Sequence, residues 1–282
     1  MFRVYILLLF TFFFFHLHAS GNISKYINMK YAYLSYSAIF IFALLTAVQA
    51  YDYFRGDGES ADEHECDHDH IHEKEKPFYQ RWLFYLVFVF PLISGLFFPI
   101  ATLDSTIVKS KGFSFKPMEQ IEAADHYAQT QYLKPDTSIY YGKEGYEELM
   151  AKELAKYVSK QHIVLNDDQF LKGMETIYDF PGDFLGKEIE FDGFAFHGEN
   201  TDKRQLFVLR FGVIHCVADS GAFGMLVQFP KGNNLRDDDW IHVKGTLSSM
   251  YYQPFKSTIP VLLIKDWHSI DKPKDPYVYR GY

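Results

Sequence analysis

The chain has little cysteine and no motif built on it. Cys66 and Cys216 are its two cysteines in 282 residues, and no Cys-x-x-Cys pair occurs. A disulfide framework and dithiol exchange are therefore excluded. Positive charge is also short. The net charge of −8 gives no basic surface for a phosphate backbone, so no nucleic-acid partner is expected. There is no Ser-His-Asp spacing, no phosphate-cradling glycine loop and no pair of catalytic carboxylates, and the sequence reads as a non-enzyme.

What the chain has instead is aromatic and apolar residues in long runs, with 18% Phe, Trp and Tyr. Val4 to Leu17 is apolar, follows Arg3, and ends near Ala19-Ser20-Gly21. Two readings stay open for it: a cleaved signal peptide or a first membrane span. Tyr33 to Tyr51 is uncharged and close to the roughly 20 apolar residues that a crossing helix needs. Trp82 to Leu103 is the third run, with Trp82 and Tyr85 suited to the interface. These runs predict an α+β membrane protein, multi-pass in the cell membrane and in contact with the lipid bilayer. Its membrane domain is 1–103, with spans at about 4–20, 33–51 and 82–103. Lys and Arg divide five against five between the two sides, so orientation stays open. Three spans would place Cys66 and Cys216 on opposite sides.

The loop 52–80 carries His64, Cys66, His68, His70 and His72, alternating with acidic residues. In an extended chain alternate residues share a face, so these five can present together. Imidazole and thiolate suit zinc or another divalent transition metal, and a His-rich tract of this kind predicts weak, exchangeable binding. The alternative is a solvated acidic loop.

Residues 104–180 read as a helical linker. One helix is expected from about Gly145 to Lys160, and a shorter one after Asn166, with Gln169 at capping-box spacing. From 181 to 282 the texture changes to strands, at Lys187–His197, Leu206–Val217, Met225–Phe229, Trp240–Tyr251 and Thr258–Ser269. Five short strands suggest a small barrel resembling an oligonucleotide/oligosaccharide-binding fold. The tail Pro276-Tyr277-Val278-Tyr279 reads as extended.

In that domain Leu206 to Phe229 reads as strand, turn, strand, with His215 and Cys216 just before the turn. Neighbours on a regular strand face opposite sides, so the two can share a metal ion only if the strand ends or bulges there. Asp219 either completes such a site or organises the turn through its side chain. Arg210, inside an apolar strand, needs a partner, and a carboxylate across the sheet is expected. His126, His162, His197, His242 and His268 stand isolated, with no role assigned.

Arg210-Phe211 followed by His215-Cys216-Val217-Ala218-Asp219 resembles the Arg-Phe…Cys-Cys-x-Ala-Asp signature of the YcgQ-like family. Gly21-Asn22-Ile23 with Tyr26-Ile27, the stretch Asp239 to Gly245, and Pro276 to Tyr279 are similar to other parts of the family pattern, so the likeness runs nearly the length of the chain. It implies the smaller subunit of a bacterial two-component permease, an uncleaved first segment, and a larger polytopic permease subunit as partner. His215 stands where the family has its first Cys. Another soft-metal ligand type there keeps ligation open and weakens any disulfide switch. The function expected is an accessory subunit of a membrane permease complex, with zinc-like metal ions as cargo or regulator. The rival is a membrane-anchored binding or scaffold module with no transport role.

Overall fold

The computed structural model describes residues 2–56, 78–98, 103–111, 142–198 and 201–280. The chain divides into two units, Met1–Thr102 and Leu103–Tyr282. The first unit is helical. Helix α1 spans Phe2–Ala19, α2 spans Ala32–Arg55 and α3 spans Phe78–Phe97. Gly21, at φ 71°, opens the turn between α1 and α2, a left-handed conformation that costs glycine little. His18 Nε2 lies 2.8 Å from Ser35 Oγ across that hairpin. Helix α3 comes close to α1 at Gly95, where an added Cβ would meet Phe13 Cε2 at 2.6 Å.

The expectation of three crossing helices is corrected. Among the described residues one helix, Met29–Arg55, is long and apolar enough to cross a membrane. The apolar parts of the others, Arg3–Ala19 and Tyr85–Phe97, are shorter. At 1.5 Å per residue they fall below the roughly 30 Å of a hydrocarbon core. The placement of Cys66 and Cys216 on opposite sides falls with the three-span count. Little of Met29–Arg55 is buried, and Phe40 and Phe54 are 74% and 76% exposed.

The second unit is built around one sheet. Its elements are α4 (Ser105–Lys111), α5 (Gly142–Ala155), β1 (His162–Leu165), α6 (Phe170–Asp179), α7 (Pro181–Phe184), β2 (Glu188–Phe196), β3 (Gln205–Val213), β4 (Gly221–Gln228), β5 (Trp240–Tyr252), β6 (Ser257–Ser269) and β7 (Tyr277–Tyr279). The strand order is β1-β2-β5-β6-β4-β3-β7, with an extra pairing of β2 and β3. The expected barrel is therefore corrected too. The β2–β3 pairing covers only Phe194, Ala195 and Phe196 and joins the order into a ring, but the result is a seven-stranded sheet and not a barrel. A barrel abolishes sheet edges, whereas β1 and β7 are added here as edge strands.

The five expected strands form with shifted ends, the extended tail adds β7 at the sheet's edge, and the short strand β1 was not foreseen. β1 pairs parallel to β2, and β7 pairs parallel to β3. Asn166 accepts a hydrogen bond from the Gln169 backbone at 3.1 Å, ahead of α6. Eight of the ten residues of α6 are buried, including Phe170, Met174 and Ile177. One apolar core joins α4, α6, α7 and the sheet.

A charged pair lies inside this core. Glu175 of α6 is 0% exposed, Arg280 after β7 is 2% exposed, and Arg280 Nη1 donates to Glu175 Oε2. The Tyr146 hydroxyl of α5 donates to Glu175 at 3.1 Å and to Asp179 at 2.7 Å. Burial, with Glu175 nearby, pushes the Tyr146 hydroxyl far above its ordinary range, so it stays a donor. Replacing one member of a buried pair strands the other. Arg280→Met is expected to destabilise the protein by about 3–5 kcal/mol, and the double variant with Glu175→Gln to recover part of that. Denaturant unfolding of the full chain in detergent checks this.

Helix α4 is held to the 236–239 loop. Ser105 donates its backbone N–H and hydroxyl to Asp238 at 2.8 and 2.6 Å, and Lys109 donates to Asp237 at 2.6 Å. Burial raises the Asp237 carboxyl, but donors from Lys109 and His197 outweigh it and hold it below its ordinary value. A depressed folded value contributes stability that is present above the unfolded value near 4 and lost as pH falls through the folded one. In thermal melts taken across the acid range, Asp237→Asn should flatten this part of the acid limb and lower the melting temperature at neutral pH.

Candidate functional site

Strand β3 ends at Val213, two residues before His215, so the condition for His215 and Cys216 to lie in one turn is met. A 3₁₀ turn, Val217–Asp219, follows before β4 begins at Gly221. Asp219 organises this turn. Its carboxylate accepts from the His215 backbone N–H at 3.1 and 2.9 Å and from the Cys216 backbone N–H at 3.0 Å. His215 Nδ1 lies 2.7 Å from Asp219 Oδ2. Cys216 is a half-buried free thiol. Asp219 is thus committed to backbone donors and to one imidazole, which is the turn-forming role of a short acidic side chain.

Arg210 is 1% exposed on β3, and its guanidinium lies over Trp240 at 5.1 Å and over Phe170 at 6.0 Å. Its partner is not across the sheet. Arg210 Nη1 donates to Asp167, in the loop before α6, at 2.8 Å, and Nε donates to the Pro276 carbonyl at 3.3 Å. Sequence reasoning missed this because Asp167 is 43 residues away in a loop. The Arg-Phe half of the signature therefore ties β3 to the loop before α6 and to the segment leading into β7. The Asp half fixes the corner between β3 and β4.

Among the described residues no group of three or more His, Cys, Asp and Glu side chains is placed to hold a metal ion. His64, Cys66, His68, His70 and His72 lie outside the described residues, as does His126. Histidines that look isolated in the sequence are paired in the fold. His162 Nε2 is 3.0 Å from Glu190, His197 Nδ1 is 2.8 Å from Asp237, and His242 Nδ1 is 2.6 Å from Asp192, while His268 stacks on His242.

Two family models match the chain, described as the DUF1980 N-terminal domain over residues 2–114 and the DUF1980 C-terminal domain over residues 140–280. The chain belongs to the DUF1980 family. It is 62% identical to UPF0703 protein YcgQ of Bacillus subtilis (strain 168) over the full length of both, which bears out the resemblance to the YcgQ-like family. It is 33% identical, over 95% of its own length and 94% of the relative's, to a protein of Streptococcus mutans serotype c (strain ATCC 700610 / UA159) that carries the provisional name of two-component membrane permease complex subunit. No solved structure matches the chain.

The turn yields a direct test. Asp219→Ala removes acceptors for two backbone N–H groups and an imidazole at once. A loss of about 1–2 kcal/mol is expected, as for the loss of a strong cap. Asp219→Asn keeps one carbonyl acceptor and should lose less. Urea denaturation of both variants checks the order.

Proposed function

We propose that this protein is the smaller, non-enzymatic subunit of a two-component membrane permease complex. It works beside a larger polytopic subunit, with helix Met29–Arg55 in the bilayer. The observation that carries the reading is the near full-length identity to a relative named as a two-component membrane permease complex subunit. The exposed apolar side chains of Met29–Arg55 support it, since an uncovered stripe containing Phe40, Leu44 and Phe54 needs lipid or another apolar helix around it. The sheet unit, with no catalytic set in its sequence, acts as the binding or regulatory part.

The cargo or regulator in this proposal is a divalent transition metal ion such as zinc. The support is the loop composition, with His64, Cys66, His68, His70 and His72 in nine positions. Affinity-tagged chain extracted from membranes in mild detergent should bring down one polytopic protein in constant ratio. Recovery of the chain from the soluble fraction, or from membranes with no polytopic protein, would overturn the permease reading. A repeatable envelope or soluble partner in its place would support the scaffold alternative. A peptide covering 55–80 should bind zinc at micromolar levels, and failure there removes the metal part alone.

A further inference from the structure

Strands β2, β5 and β6 carry a row of three polar residues straight across the sheet. Asp192 is the register partner of His242, and His242 is the register partner of His268. Directly opposed residues on neighbouring antiparallel strands place their Cβ atoms about 4.5–5.5 Å apart. All three reach solvent: the side chains of Asp192 and His242 are 44% and 26% exposed, and His268 is exposed. The two imidazole rings stack, with centroids 5.0 Å apart and 27° between planes. His242 Nδ1 lies 2.6 Å from Asp192 Oδ1. An ionised carboxylate has no proton to give, so the imidazole donates from Nδ1, and in the neutral ring the lone pair then sits on Nε2. A carboxylate that fixes the tautomer and ring direction in this way is the usual support of a metal-ligating histidine. No hydrogen bond to another described residue engages the His268 ring.

We propose that His242 and His268 form a two-imidazole site for a divalent transition metal ion, with Asp192 as the residue that positions His242. Neutral imidazole is a good ligand for zinc, copper and nickel, and a zinc ion accepts four ligands. Two come from the strands, and the exposed setting leaves the others to water, so binding is weaker than at a closed structural site. The neighbouring cation does not oppose this. Lys244, two residues along β5, is neutralised by Glu188 at 3.1 Å and Glu190 at 3.5 Å. The plain alternative is a stacked pair of surface histidines with no ligand. The site lies on rigid strands, is separate from the 52–80 loop, and does not rest on the permease reading.

The test uses the full chain in detergent with the loop silenced by His64→Asn, His68→Asn, His70→Asn, His72→Asn and Cys66→Ser. Zinc is titrated in competition with a chromophoric chelator, and melting temperature is followed with and without zinc. The expected result is zinc binding that weakens at least tenfold in His242→Asn and in His268→Asn, and about tenfold in Asp192→Asn, where both ligands remain. Zinc should raise the melting temperature of the loop-silenced parent and not of the two His variants, because a ligand stabilises only the form that binds it. All three side chains face solvent, so the variants should melt with the parent when zinc is absent. A parent that binds no zinc, or His variants that bind it as the parent does, would overturn the site. Unchanged binding in Asp192→Asn would overturn the positioning role. Recovery of a polytopic partner is a separate readout, so the two proposals fail independently.

Discussion

Helix α6 can be buried only because Glu175 has a partner. The helix lies in the core of the sheet unit with Phe170, Met174 and Ile177 fully covered, yet it carries an ionisable side chain at 0% exposure. An unpaired carboxylate there would cost several kcal/mol even after relaxation. The guanidinium that meets it belongs to Arg280, 105 residues further on and just past β7. Pairing therefore requires β7 to be seated along β3, and Tyr146 then brings α5 against α6 through the same carboxylate. The edge strand, the buried helix and the helix before it are coupled by one charge that none of them can leave unmet.

A second buried cation follows the same logic with a looser partner. Arg210 is enclosed by Trp240 and Phe170, and its acceptors are an exposed Asp167 and a backbone carbonyl. Its Nη2 has no hydrogen-bond partner among the described residues. A cation held over aromatic faces recovers part of its lost hydration without a matched fork. Arg280 joins β7 to α6, and Arg210 joins β3 to the segments on either side. The two arginines thus fix the same corner of the sheet from its two strands.

The strands with long β-branched and aromatic texture were legible in the sequence, and β5 and β6 form within a residue of their expected limits. Strand β1 was not, because four residues carry too little pattern to separate from loop, and the β7 segment was legible as extended chain but not as a strand paired to β3. The expected small barrel came from counting strands. A count says nothing of the extra pairings at the edges that keep this ring of strands an open-edged sheet. The three-span expectation came from counting uncharged runs, whereas among the described residues one helix is both long and apolar enough to cross. Local chemistry was readable where partners are close in sequence: Asp219 meets His215 and Cys216 within four residues. Glu175 with Arg280, Arg210 with Asp167, and Asp192 with His242 are brought together only by register and packing.

This distinction also separates His215 and His242, two of the histidines held by aspartates at nearly the same distance. His215 and Asp219 bond at 2.7 Å, and His242 and Asp192 at 2.6 Å. At the turn the carboxylate also takes two backbone N–H groups, so pulling it toward a metal would open the corner between β3 and β4. Across the sheet the carboxylate serves the imidazole, while the strand ladder holds the backbone without its help. A second imidazole from the neighbouring strand lies beside the ring it directs. In the signature motif the Asp219 carboxylate thus holds the corner between β3 and β4. The proposed pair, His242 and His268, shows in the sequence only as two unrelated histidines, because strand register alone brings them side by side.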